Sequence, residues 1–147
     1  MMPNDMNQHP TARLMLFAFR KFEERLLDEL GKVGFPDVTL SDLNVLRHLD
    51  PEGLRVTILA EHAGLTKQAV GQIAKGLEKK GYVRITADAE DGRAKSIVYT
   101  KRGKVLIEQA IHVVRNIERH YEAALGKRGY QALRASLLTL LASGDAL

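Results

Sequence analysis

The sequence predicts a mainly α fold with one small β-hairpin, and three observations carry that reading. Apolar residues recur three and four positions apart over most of the chain, the spacing of a helix face. One pair of β-prone runs, 82–86 and 96–100, brackets the polar stretch DAEDGRAKS. The apolar residues are mostly Leu, Ile, Val and Ala; with 5% aromatics and no tryptophan, the core is suited to helices. A chain of 147 residues fits one domain, or two small lobes that share a core.

Taken in order, residues 1–10 are polar, contain two prolines and are expected to be loose. Met15, Phe19, Phe22, Leu26 and Leu30 then form the stripe of a helix that Gly31 and Gly34-Phe35-Pro36 bring to an end. Phe17 and Leu27 lie off this stripe, so the helix is apolar on more than one side. Thr39 with Asp42 three residues later is a capping-box arrangement. It starts a short helix with Leu43, Leu46 and Leu49 inward, expected to end near Asp50-Pro51-Glu52-Gly53. Helices over 57–63 and 66–80 are separated only by Gly64 and Leu65. Thr66 caps the second of them, Leu65 and Val70 form its hydrophobic staple, and Lys79-Lys80-Gly81 closes it. After the hairpin, Thr100 caps a proline-free helix reaching about Leu125, a rod of about 37 Å. Gly126 to Gly129 reads as a turn before a last apolar helix with Leu133, Leu137, Leu138, Leu140 and Leu141.

Charge is unevenly placed. The net charge is +4, yet residues 64–105 hold ten Lys or Arg against four acids, so this third carries all the positive excess. A localised excess of this kind is the footprint of a polyanion-binding surface. No apolar run is long enough to span a bilayer, so no membrane partner is expected. The first residues lack a basic segment followed by an apolar one, and the chain has no cysteine; both point to a cytoplasmic protein.

Two helices joined by a glycine-containing turn make a helix-turn-helix. Val70, Ile73, Ala74 and Leu77 form the inward face of the second helix, while Lys67, Gln68, Gly71, Gln72 and Lys75 form the other. Those residue types suit a DNA major groove: glutamine pairs with adenine, lysine reaches guanine or phosphate, and glycine allows close approach. Mid-helix glycine costs about 1 kcal/mol relative to alanine, which gives Gly71 a reason to be functional. A polar helix face by itself is more often simply solvated. The hairpin that follows turns the arrangement into a winged helix-turn-helix, with residues 87–95 as the wing.

The run LAEHAGLTKQAVGQIAKGLEKKGYVRITADAEDGRAKSIVYTKRG resembles the core of the MarR family of bacterial and archaeal repressors. The matching features fall in order: Leu59-Ala60-Glu61, Leu77-Glu78-Lys79-Lys80-Gly81-Tyr82-Val83, Asp91-x-Arg93, and Thr100-x-x-Gly103. The flanking helices extend the resemblance to about residues 12–143. It implies an N-terminal dimerisation helix over 11–36, a DNA-binding lobe over 37–100 and C-terminal dimerisation helices over 101–147. It also implies that Thr66, Lys67, Gln68, Gly71, Gln72 and Lys75 face the major groove. Asp91, Gly92, Arg93 and Lys95 form the wing, with Arg93 entering the minor groove and Asp91 orienting its guanidinium. Many members have arginine where this chain has Gly92, so one wing-tip arginine is left, suited to grip more than to reading. The expected partners are a second copy of the chain and double-stranded DNA bearing a pseudo-palindromic operator. A small aromatic or phenolic effector is expected near Phe17 and His48. Without cysteine, the thiol-oxidising branch of such sensors is excluded.

Apart from the resemblance, the apolar bands of the first and last helices exceed what one small core can bury, which also points to a homodimer. No metalloprotease, nucleophile-elbow, Walker or dinucleotide motif occurs, so neither an enzyme nor a cofactor is expected. Glu108 and His112 stand four residues apart on a helix, but a closed zinc site needs four ligands and no metal is expected. The competing reading is a winged-helix protein-interaction module without DNA binding; such a module has no need of Arg93 or of the basic excess.

Overall fold

Caps and glycines divide the chain much as the sequence predicts. The computed structural model describes residues 6–88 and 90–144. Within them α1 spans Thr11–Lys32, α2 Leu40–Leu46, β1 Leu54–Arg55, α3 Val56–Ala63 and α4 Lys67–Lys79. Then follow β2 Val83–Ala87, β3 Lys95–Tyr99 and α5 Lys101–Ala142. The capping box of α2 is formed: Asp42 N–H donates to Thr39 Oγ1 at 3.2 Å, and Thr39 N–H donates to Asp42 Oδ2 at 2.9 Å. Gly64 ends α3 in the left-handed region at φ 65°, a conformation costly for any side chain but glycine's.

Four differences from the sequence reading have local causes. Residues expected to be loose include a 3-10 turn over Met6–Gln8, and the His9 ring packs edge-on against Phe17 at 5.7 Å; Met1 to Asp5 lie outside the described residues. The helix expected to run toward Asp50 stops at Leu46, where Arg47 caps it and looser turns continue. The turn expected over 126–129 narrows to Gly126 alone, at φ 75° and ψ 159°, and α5 resumes helical geometry at once. Finally, the sheet has three strands, in the order β1-β3-β2. β1 pairs Leu54 with Ile97 and Arg55 with Ser96, and at two residues it is too short to show any periodicity.

The core lies where α1, α2, α4, the sheet and the first part of α5 meet. Leu30, Val45, Leu59, Val70, Leu77, Tyr82, Ile97 and Leu106 are essentially inaccessible to solvent. The buried Tyr99 hydroxyl is shared between the Leu46 and Leu49 carbonyls at the irregular end of α2. Burial pushes its pKa up. Gly103 lets α5 dock on the hairpin: a Cβ there would lie 1.9 Å from the Tyr82 carbonyl oxygen. Thr100 caps α5 by accepting from Gly103 N–H at 3.0 Å, and its own N–H donates to the Tyr82 carbonyl at 3.1 Å.

Burial along α5 ends at Ile117. Beyond it Leu133, Leu137, Leu138, Leu140 and Leu141 are exposed, as are Leu14, Met15, Leu16 and Phe19 on the first half of α1.

Candidate nucleic-acid interface

The helix-turn-helix holds α4 by its apolar side and presents the other. Val70, Ala74 and Leu77 are fully buried, while Ile73 is partly so and packs against the core. Thr66 caps α4 by accepting from Ala69 N–H at 3.1 Å, and Leu65 N–H donates to Ala60 O at 3.0 Å, which closes the turn. Thr66, Lys67, Gln68, Gln72 and Lys75 are exposed together, with Gly71 half-buried among them. Among the described residues neither Lys67 nor Lys75 enters an ion pair. At Gly71 nothing lies within 4 Å of an added Cβ, so nothing in the fold requires glycine there.

The hairpin that follows packs against the end of α4, where Ile85 N–H donates to Glu78 Oε2 at 2.8 Å. β2 and β3 pair in register from Val83 with Tyr99 to Ala87 with Lys95. The loop between them is braced from within: Asp88 N–H donates to Ala94 O at 2.8 Å and Ala94 N–H to Asp91 O at 3.0 Å. Arg93 and Lys95 are exposed. One expectation needs correction. Asp91 does not pair with the Arg93 guanidinium; its Oδ1 accepts from Arg93 N–H at 3.1 Å and so fixes the backbone of the tip. Gly92 is not among the glycines of positive φ and has open space around it, so the tip does not depend on glycine.

The residue that organises the wing is Asp88, which nothing in the local sequence distinguishes from Glu90 and Asp91. Arg55 donates to it twice, from Nε at 2.8 Å and Nη2 at 3.0 Å. The Glu90 and Asp91 N–H groups donate at 2.9 and 3.0 Å, and Ser96 Oγ at 3.2 Å. The Arg55 guanidinium, followed by those backbone amides, holds the Asp88 carboxyl well below the usual carboxylate range. It therefore stays ionised through neutral pH.

The positive excess over residues 64–105 is less uniform than the sequence suggests. Lys80 Nζ lies 2.6 Å from the buried Asp42, anchoring α4 to α2. Arg102 Nη2 donates to the Tyr82 hydroxyl at 3.2 Å, and its guanidinium sits 4.9 Å from that ring and 5.9 Å from Phe35. Tyr82 in turn donates to Asp37. These two cations brace the lobe; Lys67, Lys75, Arg93 and Lys95 are among the exposed bases that enter no ion pair within the described residues.

A cavity of about 670 Å³ opens between α1, α2 and α5, with Phe19, Phe22, Arg47, Tyr99 and Ile111 in its wall. Neither Phe17 nor His48 lines it. Phe17 is instead half-buried against His9, with the Arg13 guanidinium 5.4 Å from its ring, and His48 is half-buried. Arg47 donates to Glu23 at 2.7 Å across the cavity edge. Among the described residues no cluster of three or more metal-ligating side chains occurs, and no helix is long and apolar enough to cross a membrane.

Residues 37–94 match the family model described as the MarR family. The HTH-type transcriptional repressor Rv2887 of Mycobacterium tuberculosis is 35% identical over 100 residues, covering 61% of this chain and 72% of that one. Among solved structures, apo wild-type MarR from E. coli superposes with a TM-score of 0.75 at 20% identity, over 90% of this chain and 98% of that one. A mutant MarR from E. coli in complex with operator DNA gives 0.74 at 19%, over 95% and 99% of the two chains. The family model spans the lobe and the mycobacterial repressor extends the match, on a fold shared almost end to end: this chain belongs to the MarR family of winged-helix transcriptional regulators, which are DNA-binding proteins and not enzymes.

Proposed function

We propose that the protein is a homodimeric, sequence-specific repressor whose hold on DNA is relieved by a small aromatic or phenolic effector. The observation that carries this reading is the α4 face, where polar side chains stand free around a glycine that nothing in the fold requires. In this role Gln68 and Gln72 read base edges in the major groove, Thr66, Lys67 and Lys75 contact base or phosphate, and Gly71 lets the helix lie close. Asp91, Gly92, Arg93 and Lys95 form the wing, with Arg93 supplying grip in the minor groove. The leucines left uncovered on α5 and the apolar first half of α1 support pairing with a second copy. A two-fold dimer reads two half-sites about 10 base pairs apart. Similarity to a mycobacterial transcriptional repressor supports repression. The aromatic-walled cavity between α1, α2 and α5, next to the lobe, is the seat we assign to the effector in place of the Phe17–His48 neighbourhood.

Two substitutions test the site. Gly71→Ala is expected to raise folding stability by about 0.5 to 1 kcal/mol, because alanine is the better helix former and its methyl meets nothing. The same change should weaken operator binding, as read by fluorescence anisotropy. Weaker binding from a more stable protein has no explanation in folding; unchanged binding removes Gly71 from the interface. Arg93→Ala is expected to weaken operator and random duplex alike and to lower the slope of log affinity against log salt by about 1. A loss confined to the operator would mean that Arg93 reads sequence.

A further inference from the structure

We propose that Arg55 is a positioning residue for the wing: held between the sheet edge and α3, it sets the place of Arg93 through Asp88. This rests on the reading that Arg93 grips DNA. Arg55 ends β1, where it pairs with Ser96 of β3, and it is also the residue that precedes α3. Its backbone is therefore fixed on two sides, by the sheet and by the start of the helix-turn-helix. Its planar fork donates to both oxygens of Asp88, the arrangement in which an arginine–carboxylate pair is most directional.

Asp88 is the first residue beyond β2, and the same two oxygens accept the Glu90 and Asp91 amides and the Ser96 hydroxyl. Asp91 then accepts the Arg93 amide. A continuous run of hydrogen bonds thus leads from the beginning of α3 to the tip. A two-stranded ribbon is barely stable alone, and this one gains a tie to the helix pair that carries α4. An isolated surface ion pair contributes little, but a bidentate pair joined to backbone amides is the exception to that rule. The Asp88 side chain, 13% exposed, is sheltered enough for the tie to persist, while that of Arg55 is 36% exposed.

The alternative for an exposed arginine at this place is direct contact with a phosphate, and charge separates the two. Arg55→Gln removes a positive charge and Asp88→Asn removes a negative one, so simple attraction to DNA predicts opposite effects. Positioning predicts that both weaken binding. Each variant should be titrated with labelled operator duplex, alone and combined with Arg93→Ala, while urea unfolding checks that the dimer is intact. Both single variants are expected to lose about tenfold in affinity, and each to add less than about twofold once Arg93 is absent, because coupled residues are not additive. Amide exchange over 90–94 should quicken in both. If Asp88→Asn binds as tightly as the parent or more tightly, or if the losses add in full to that of Arg93→Ala, the proposal is overturned. If Arg93→Ala itself leaves affinity unchanged, the wing reading fails and takes this inference with it. Should Arg55→Gln not fold, Asp88→Asn carries the same test.

Discussion

Gly103→Ala is expected to cost about 3 kcal/mol of folding stability, at the upper end of what overpacking a tight site does. Alanine in a helix normally gains close to 1 kcal/mol over glycine, so the expected sign is opposite to that of propensity. The cause is contact with backbone: the new methyl would lie 1.9 Å from the Tyr82 oxygen, 2.9 Å from its carbonyl carbon and 3.1 Å from Tyr99 Cδ1. No side-chain rotation relieves the first two. To make room α5 must move off the hairpin, giving up the Thr100 N–H bond to Tyr82 and the packing of Leu106 beneath it. The urea midpoint of the variant measures this, and Gly71→Ala provides the control. The two substitutions are chemically identical and both lie in helices, yet one is expected to destabilise and the other to stabilise. A Gly103→Ala protein as stable as the parent would mean that α5 does not sit against the hairpin in this way.

The pair Leu138→Glu and Leu141→Glu is expected to turn a dimer into a monomer. In a single chain Leu138 is 62% exposed and Leu141 79% exposed, on a segment with no buried residue after Ile117. Leucines so placed gain from burial only against another chain, at about 25 cal/mol per Å² of apolar surface removed from water. Glutamate at both positions replaces that gain by the cost of desolvating unpaired carboxylates. Sedimentation should show the halved mass, with helix content kept by the lobe. Operator affinity should fall by about a hundredfold or more, because two linked reading heads bind with avidity that a single head lacks. A variant that still sediments as a dimer would move the interface away from this segment.

The sequence shows these features unequally, for reasons of range. Helix faces and caps depend on residues three or four apart, so the α4 core face, the Thr39–Asp42 box and the Thr66 and Thr100 caps are all legible from local spacing alone. Gly103 is visible as part of a motif, but its reason, the Tyr82 carbonyl, appears only when two elements meet in space. Arg55 and Asp88 are 33 positions apart and belong to no periodic pattern, so nothing local marks them as a pair. The cavity depends on which side of α1 faces α5. A helix apolar on several sides does not disclose that, and Phe19 and Phe22, not Phe17, turn out to face it. Positive charge misleads in the opposite sense, because Lys80 and Arg102 add to the count while bracing the lobe.

The decisive measurement is the affinity of the parent protein for DNA flanking its own gene, set against random duplex of equal length, across a salt series. A sequence-specific regulator is expected to favour the flanking DNA by about a thousandfold or more. Its affinity should also fall steeply and linearly in log–log form as salt rises, as counterion release from neutralised phosphates requires. Equal affinity for both duplexes, or affinity that barely responds to salt, would contradict a sequence-specific DNA-binding role and favour an interaction module that has kept only the fold.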